Sequence, residues 1–167
     1  MKQLLCAVLL LAATAPLASA RIGESDAEIS ARYGQSVGDI PTQAFGKVRG
    51  FKSADYVVAV KLVDGRSQME MFSKTDQSEM TASEIDNLLK ANGAGAWKAE
   101  LVAGRPGWRR WRREDDALVA LYDAGRHFLY INSKKFYEDQ GKKIETGEPP
   151  KKEETPPLFF GTVPGSG

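Results

Sequence analysis

Residues 51–74 read FKSADYVVAVKLVDGRSQMEMFSK, and residues 111–134 read WRREDDALVALYDAGRHFLYINSK. The two segments align without a gap at an offset of 60 residues, and their apolar positions coincide. Five positions are identical, namely Asp55/Asp115, Gly65/Gly125, Arg66/Arg126, Ser73/Ser133 and Lys74/Lys134. A repeat of this length implies that each copy is one supersecondary unit. The sequence therefore predicts a duplicated architecture.

A helix is predicted to begin each copy. Ser25-Asp-Ala-Glu28 and Thr81-Ala-Ser-Glu84 are capping boxes, in which the hydroxyl and the glutamate satisfy free backbone amides of the first turn. Gly34 and Gly93 follow as typical helix stops. Apolar residues at helical spacing lie between these signals: Ile29, Tyr33, Ile85, Leu88 and Leu89.

A β-hairpin is predicted to follow in each copy. Asp64-Gly65 is a strong signal for a two-residue turn, and Ala124-Gly125 occupies the equivalent place. Centring the turns there gives apolar inner pairs, which are Val60–Met69, Val58–Met71, Ala120–Leu129 and Leu118–Ile131. The outer pairs are polar in the first hairpin, Lys61–Gln68 and Ala59–Glu70, and apolar in the second, Leu121–Phe128 and Val119–Tyr130.

The expected fold class is α+β. Phe51 and Trp111 mark a further strand in each copy, so each unit is αβββ, and residues 97–103 offer an extra strand. The two units, about 23–75 and 80–137, are expected to share one core, because a hairpin with one short helix is marginal alone. The prediction is one antiparallel sheet of six or seven strands with two helices packed on one face. Two independent domains are the alternative.

The two ends are predicted to lie outside this single domain of residues 21–137. Residues 1–20 combine Lys2, an apolar run and Ala18-Ser19-Ala20, which is typical of a cleaved signal peptide. A buried N-terminal helix is the alternative. Cys6, the one cysteine, lies in that leader, so we expect export without a lipid anchor or disulfides, to the periplasm or the medium. Residues 138–167 are expected to be a disordered Pro/Lys/Glu-rich tail, whose apolar segment 158–163 either docks on the domain or stays idle.

Charge and motifs argue against two function classes. Without Lys2 the chain has 22 basic and 22 acidic residues, so we expect no nucleic-acid partner. No zinc pattern, P-loop, nucleophile elbow or dinucleotide fingerprint occurs, so we expect no enzyme, metal or cofactor. Asp55 and Asp115 are expected to turn the chain rather than to catalyse hydrolysis. His127, the single histidine, is expected beside a turn and across from Tyr122.

The predicted arrangement resembles the tandem helix-plus-sheet modules of β-lactamase-inhibitor-like proteins and of domains related to the outer-membrane assembly lipoprotein family. In addition, RIGES-x-AEI-x-ARYG over residues 21–34 is similar to small exported bacterial proteins of unknown function. The resemblance implies a non-catalytic protein-binding module of the envelope, inhibitory in some members, that uses its sheet or loops. It assigns no functional residue, because no binding motif of those groups matches here.

The apolar outer face of the second hairpin is the first candidate site. Exposed apolar patches tend to mark contact surfaces. We therefore predict a surface for a partner protein or for self-association, formed by Val119, Leu121, Phe128 and Tyr130. The alternative is that residues around Trp97 or the tail at Phe159-Phe160 cover this face.

Residues 105–113, RPGWRRWRR, are the second candidate site. Arginine binds phosphate or carboxylate bidentately and indole stacks on rings, so this segment could bind a polyanion or an acidic glycan. The candidates are Arg105, Trp108, Arg109, Arg110, Trp111, Arg112 and Arg113. The alternative is an edge or outer strand whose arginines pair with nearby acids, such as Glu114, Asp115 and Asp116, while one tryptophan fills the core.

Overall fold

The structure, a computed structural model, describes residues 21–42, 45–93 and 95–141. Its strands form one antiparallel sheet in the order β1-β2-β3-β4-β8-β7-β6-β5. Two four-stranded meanders therefore meet at the β4–β8 pair in the middle of the sheet. The elements in chain order are α1 (Asp26–Tyr33), β1 (Gly38–Thr42), β2 (Gly46–Lys52), β3 (Tyr56–Val63), β4 (Arg66–Lys74), α2 (Ala82–Ala91), β5 (Trp97–Glu100), β6 (Trp108–Arg113), β7 (Leu118–Asp123), β8 (Phe128–Ser133), α3 (Lys134–Phe136) and a π-helical turn (Tyr137–Gly141).

The predicted fold of six or seven strands under two helices is wrong. The sheet has eight strands, and strand residues outnumber helical residues by about two to one. Strand β1 went unpredicted because it contains Gly38 and Pro41, residue types that are depleted in strands. Proline is tolerated there because β1 is an edge strand with solvent on one side.

Both faces of the sheet are covered, whereas one covered face was expected. The first core joins α1 and α2 to one face of the sheet through Ile29, Tyr33, Ile85, Leu88 and Leu89, which pack on residues such as Phe51 and Ile131. The second core lies on the opposite face and contains Val48, Ala59, Met69, Val119, Leu121, Tyr130, Phe136 and Tyr137. Phe136 belongs to α3 and Tyr137 to the π-helical turn, and neither element was predicted from the sequence.

The two predicted helix starts are confirmed. Ser25 and Thr81 are the N-cap residues, and each forms a complete capping box with the glutamate three residues later. The Glu28 and Glu84 side chains accept hydrogen bonds from the cap amides at 2.8 and 2.7 Å. Gly34 ends α1 with a positive φ of 84°.

The first hairpin has the predicted turn and a different register. Asp64 and Gly65 both have positive φ, and Val63 faces Arg66, as in a two-residue type I′ turn. A β-bulge then inserts Gln68 as an extra residue, so that Lys61 faces Met69 and Val60 faces Glu70. A slip of one residue reverses the two faces of a strand. Glu70, predicted on the outer face, therefore lies on the helix-covered face.

The second hairpin differs from its predicted register by two residues. Asp123 faces Phe128, so the loop has four residues, 124–127, instead of two. Ala120 accordingly faces Ile131, where the two-residue turn predicted Leu129. An even slip keeps every side chain on its face. The predicted inner and outer sets of this hairpin are therefore confirmed, although the pairs are wrong.

These differences change the repeat offset between strands. In the first unit Val60 faces Glu70, and in the second Ala120 faces Ile131. The offset is thus 60 residues between β3 and β7 but 61 between β4 and β8. Glu70 also pairs directly with Ile131 across the β4–β8 junction. A pseudo-two-fold axis normal to the sheet consequently passes through this pair of equivalent residues.

The predicted leader and most of the predicted tail lie outside the described residues. The first four tail residues, 138–141, belong to the π-helical turn on the second core. Within the described ranges, no helix has the length and apolar character needed to cross a membrane.

Candidate functional site

The predicted partner patch lies in the second core. Val119 and Leu121 have no solvent exposure, Tyr130 is 4% exposed, and Phe128 is partly buried against the same cluster. The four side chains do lie together, since Leu121 faces Tyr130 and the Phe128 and Tyr130 rings meet edge to face at 6.2 Å. The expectation of an open apolar surface at these positions is therefore corrected.

Other residues of the same chain cover the patch. Among the described residues these are Phe45, Phe136 and Tyr137, and not the residues around Trp97. The Phe45 ring lies 6.1 Å from Tyr130 and 6.0 Å from Phe136. Tyr137 follows and accepts a hydrogen bond at 3.2 Å from Arg110 on β6. Phe159 and Phe160 lie outside the described residues. The turn before β2 and the chain after β8 together cover the patch.

Residues 108–113 of the arginine-tryptophan segment form β6, the strand next to the β5 edge, and residues 105–107 precede it. Its side chains alternate, so Trp111 packs on the first core and Trp108 on the second. On the second-core face, Glu100 lies 2.7 Å from Arg110 and 3.0 Å from Arg112. Burial disfavours ionised Glu100, but its hydrogen bonds and ion pairs with the two arginines outweigh this and hold its pKa below the usual range. This carboxylate therefore neutralises part of the strand's charge.

Two further acids engage the same strand. Asp115 binds the Arg113 guanidinium bidentately at 2.8 and 2.6 Å, and Arg113 also donates to the carbonyl of Asn92 at 2.9 Å. Asp116 pairs with Arg112 at 2.8 Å and with Lys134. Hydrogen bonds from Lys134 and Arg112 lower the pKa of Asp116. Three of the candidate arginines, Arg110, Arg112 and Arg113, thus pair with acids of this chain. This agrees with the alternative prediction of a strand whose arginines pair with nearby acids.

Two arginines of the proposed polyanion site, Arg105 and Arg109, remain to be considered. Arg109 is exposed on β6. The Arg105 guanidinium lies 5.3 Å from the Trp108 ring in a cation–π contact. The alternation of β6 places Arg109 on the first-core face and Trp108, with the stacked Arg105, on the second-core face, so these two cations do not form one patch.

The polar groups considered for catalysis have structural partners. Asp115 accepts from the Ala117 amide at 3.0 Å in addition to binding Arg113, and thus turns the chain as predicted. His127 lies in the four-residue loop, and its Nδ1 is 2.7 Å from the carbonyl oxygen of Gln77. The predicted pairing of His127 with Tyr122 is wrong, since Tyr122 faces Leu129. Within the described ranges, no group of three or more acidic, histidine or cysteine side chains could hold a metal ion.

One buried titratable group, Glu70, is not among the site residues predicted from the sequence. Its Oε2 accepts a 3.0 Å hydrogen bond from the Tyr33 hydroxyl, and its Oε1 is buried without a hydrogen-bond partner among the described residues. Burial raises the pKa of Glu70 to about 7, against the opposing effects of the Tyr33 hydrogen bond and the Arg32 charge. Burial and the nearby Glu70 carboxylate also raise the pKa of Tyr33. Glu70 has no solvent exposure, so it is a structural proton-binding group, inaccessible to a substrate.

The backbone of β5 offers the most accessible candidate for binding. The Glu114 amide donates to the Ala96 carbonyl, and in the β5–β6 register residues 98 and 100 repeat this hydrogen-bonded position. Residues 97 and 99 must then direct their N–H and C=O groups away from β6. Among the described strands β5 has a neighbour on one side alone, so these groups face outward. Leu101, which follows β5, is 94% exposed.

The opposite edge of the sheet is protected. The Gly50 carbonyl accepts from the Val37 amide and so faces β1, and by alternation Ile40 and Thr42 are in hydrogen-bonded positions toward β2. Asp39 and Pro41 therefore face outward. Proline has no amide hydrogen to donate. The two edges therefore differ, because β1 carries a proline that cannot donate to an added strand and β5 contains none.

Comparisons with known proteins assign no function to these sites. No protein-family model matches the chain, and no curated protein matches it. A solved structure of a cysteine-rich secretory protein from Staphylococcus aureus is similar to it at a TM-score of 0.39 and 11% sequence identity. The similarity covers 71% of this chain and 46% of that chain, so this chain spans less than half of that protein's length. The resemblance to inhibitor-like envelope modules stays a prediction.

Proposed function

We propose that the chain is an exported, non-catalytic protein-binding module of the bacterial envelope that binds its partner by strand addition at β5. The observation that carries this proposal is the open row of backbone groups at residues 97 and 99 beside the exposed Leu101. An extended segment of a partner can complete this row, with main-chain hydrogen bonds for affinity and side-chain pockets for specificity. Inhibition results where the bound partner is an enzyme.

The site can accept a strand without rearrangement of the core. Trp97 donates its indole N–H to the Leu89 carbonyl at 2.9 Å, which anchors β5 to α2. Ala99 is exposed and small, so it leaves room on its face for the side chain that an incoming strand would place opposite it. Lys98 and Glu100 lie on the other face of β5, Lys98 beside Glu114 and Glu100 beside Arg110 and Arg112, and a partner strand with the reverse charge pattern would add to these ion pairs.

Polyanion binding is the second candidate, and one observation favours it: the Arg109 side chain is exposed on β6. The ion pairs of Arg110, Arg112 and Arg113 count against it, because a ligand would have to displace acids already in contact. Retention on heparin that survives Arg105→Ser with Arg109→Ser would exclude this end of β6 as the site. Loss of retention in that variant would favour the second candidate.

A pair of substitutions at Ala99 tests strand addition. Ala99→Pro removes an outward amide hydrogen and leaves the β5–β6 hydrogen bonds in place, whereas Ala99→Val keeps the amide and adds bulk. Each variant, after circular dichroism has shown it folded, would be used to capture proteins from envelope and culture-medium extracts. The proposal predicts a protein retained by the wild type and Ala99→Val and lost with Ala99→Pro. Equal retention by all three would contradict binding at this edge.

A further inference from the structure

The open edge of β5 is self-complementary when two copies pair antiparallel about a two-fold axis. The backbone N–H and C=O groups of residues 97 and 99 face outward. Leu101 follows β5 directly, and it would keep this alternation if the strand extended by one residue on pairing. In an antiparallel pairing centred on Ala99, Ala99 faces itself and Trp97 faces Leu101 of the second copy. With this extension, each of these pairs joins residues whose backbone N–H and C=O groups point away from β6. The two strands can therefore form the paired hydrogen bonds of an antiparallel ladder.

Charge selects this register over its neighbours. Centring on Ala99 sets Lys98 of one copy opposite Glu100 of the other, and the two-fold symmetry produces this pair twice. Within each copy Glu100 also contacts Arg110 and Arg112, and Lys98 lies 3.7 Å from Glu114, so the new pairs would extend existing ion pairs. Centring on Lys98 would instead oppose two lysines, and centring on Glu100 would oppose two glutamates. Like charges directly opposite in an antiparallel pair are unfavourable. One register therefore satisfies the hydrogen bonds and the charges together.

The apolar side chains favour the same register. Trp97 packs in part on the first core, with a fraction of its ring still at the surface. Leu101 is among the large apolar residues that the described chain exposes, and at 94% it is nearly fully in solvent. The pairing sets each Leu101 beside Trp97 of the other copy on one face, and removes both from water.

We propose that β5 pairs with β5 of a second copy of this chain, antiparallel and centred on Ala99, so that two eight-stranded sheets become one continuous sheet. The inference rests on the proposed function, because it names the occupant of the same edge. The contact uses about five residues from each copy and lies below the area of stable interfaces, so the dimer is expected to be weak and reversible.

Sedimentation velocity on the purified chain, from about 10 µM to about 1 mM, is the first test, because small interfaces dissociate in this range. The expected result is a monomer–dimer equilibrium for the wild type and for Ala99→Val, and a monomer at every concentration for Ala99→Pro. A monomeric wild type throughout the range would overturn the proposal. A dimer that Ala99→Pro leaves unchanged would overturn it as well.

A charge exchange tests the register. Lys98→Glu and Glu100→Lys each replace both attractive pairs of the dimer with repulsive ones, so each variant alone should dimerise roughly tenfold more weakly or worse. An equimolar mixture of the two variants should recover dimerisation, because both cross-pairs are again opposite in sign. Failure of the mixture to dimerise would overturn the register centred on Ala99. If Glu100→Lys does not fold, weaker dimerisation of Lys98→Glu than of Lys98→Gln replaces it, and equal dimerisation of those two overturns the register.

The proposed function and this inference fail separately. A monomeric chain that captures another protein through β5, with loss in Ala99→Pro, retains the function and overturns the self-pairing. A dimer sensitive to Ala99→Pro that captures no other protein supports the self-pairing and contradicts a heterologous partner.

Discussion

The Tyr33 hydroxyl donates a 3.0 Å hydrogen bond to the Glu70 carboxylate, which ties the end of α1 to the middle of the sheet. The bond lies in the first core, and Glu70 itself stands on the pseudo-two-fold axis opposite Ile131. The equivalent position of the second unit is thus apolar. The first unit alone carries a titratable group in the core at this point.

Glu70 should make the folded chain more stable in weak acid than above neutral pH. Its pKa is about 7 in the folded chain against the usual 4.5, so the folded chain binds the proton more tightly. The resulting stabilisation is fully present below about pH 4.5 and is lost as pH rises through 7, and amounts to on the order of 3 kcal/mol. Tyr33 and Arg32 act directly on Glu70, and Arg32 is paired with Glu24.

Urea unfolding between about pH 5 and 8.5 measures this dependence, with Glu70→Gln as the matched variant. Glutamine accepts the Tyr33 hydrogen bond and does not titrate, so its stability should change little over the range. Carboxylates with a lowered pKa, such as Asp116, lose their contribution only at lower pH. If the free energy of unfolding changes with pH equally in Glu70→Gln and the wild type, Glu70 is not the source of the pH dependence.

Tyr33→Phe should raise the pKa of Glu70 further, because the hydroxyl hydrogen bond is one of the two influences that lower it. The variant leaves a buried carboxylate without that donor, which costs about 1–3 kcal/mol where Glu70 is ionised and less where it is protonated. A carbon-detected NMR titration of the glutamate carboxyl groups in both proteins reports the shift. An unchanged Glu70 midpoint would show that the hydrogen bond does not form in solution.

Phe128→Asp combined with Tyr130→Asp should unfold the domain rather than weaken an association. Tyr130 is almost completely buried beneath Phe45, and an unpaired carboxylate there is strongly unfavourable.

Phe136→Ala should destabilise the same core by about 3 kcal/mol, whereas Lys135→Ala, at an exposed neighbour, should be close to neutral. Circular dichroism and urea unfolding compare the three. A double variant that remains folded would show that Phe128 and Tyr130 are not part of the core.

Arg113→Lys should reduce stability by about 1 kcal/mol, and Arg109→Lys should have almost no effect. Arg113 binds Asp115 with two nitrogens and Asn92 with one, and a lysine cannot reproduce this fork. Arg109 lies on the same strand and face but is exposed. Equal unfolding midpoints for the two variants would show that the Arg113 contacts contribute nothing measurable.

Local signals in the sequence predicted the elements better than their pairing. The capping boxes at Ser25 and Thr81 and the turn at Asp64-Gly65 depend on residues within a few positions of each other, so the sequence alone was enough to predict them. The bulge at Gln68 has no such signature, and one inserted residue was enough to move Glu70 from the predicted outer face into the core.

The candidate sites failed for a related reason. The apolar set Val119, Leu121, Phe128 and Tyr130 was identified on the correct face, but its cover depends on where Phe45 and Phe136 come to lie. Such long-range packing cannot be read from strand alternation. The open edge at β5 depends likewise on strand order, which places β5 at the end of the sheet.

Amide hydrogen exchange at single residues of β5 tests the central claim most directly. Lys98 and Glu100 occupy the hydrogen-bonded positions toward β6, so their amides should be protected at every concentration. The Ala99 amide should exchange quickly in the dilute chain and become protected at high concentration or when a captured partner is added. An Ala99 amide whose exchange changes under neither condition would contradict strand addition at β5.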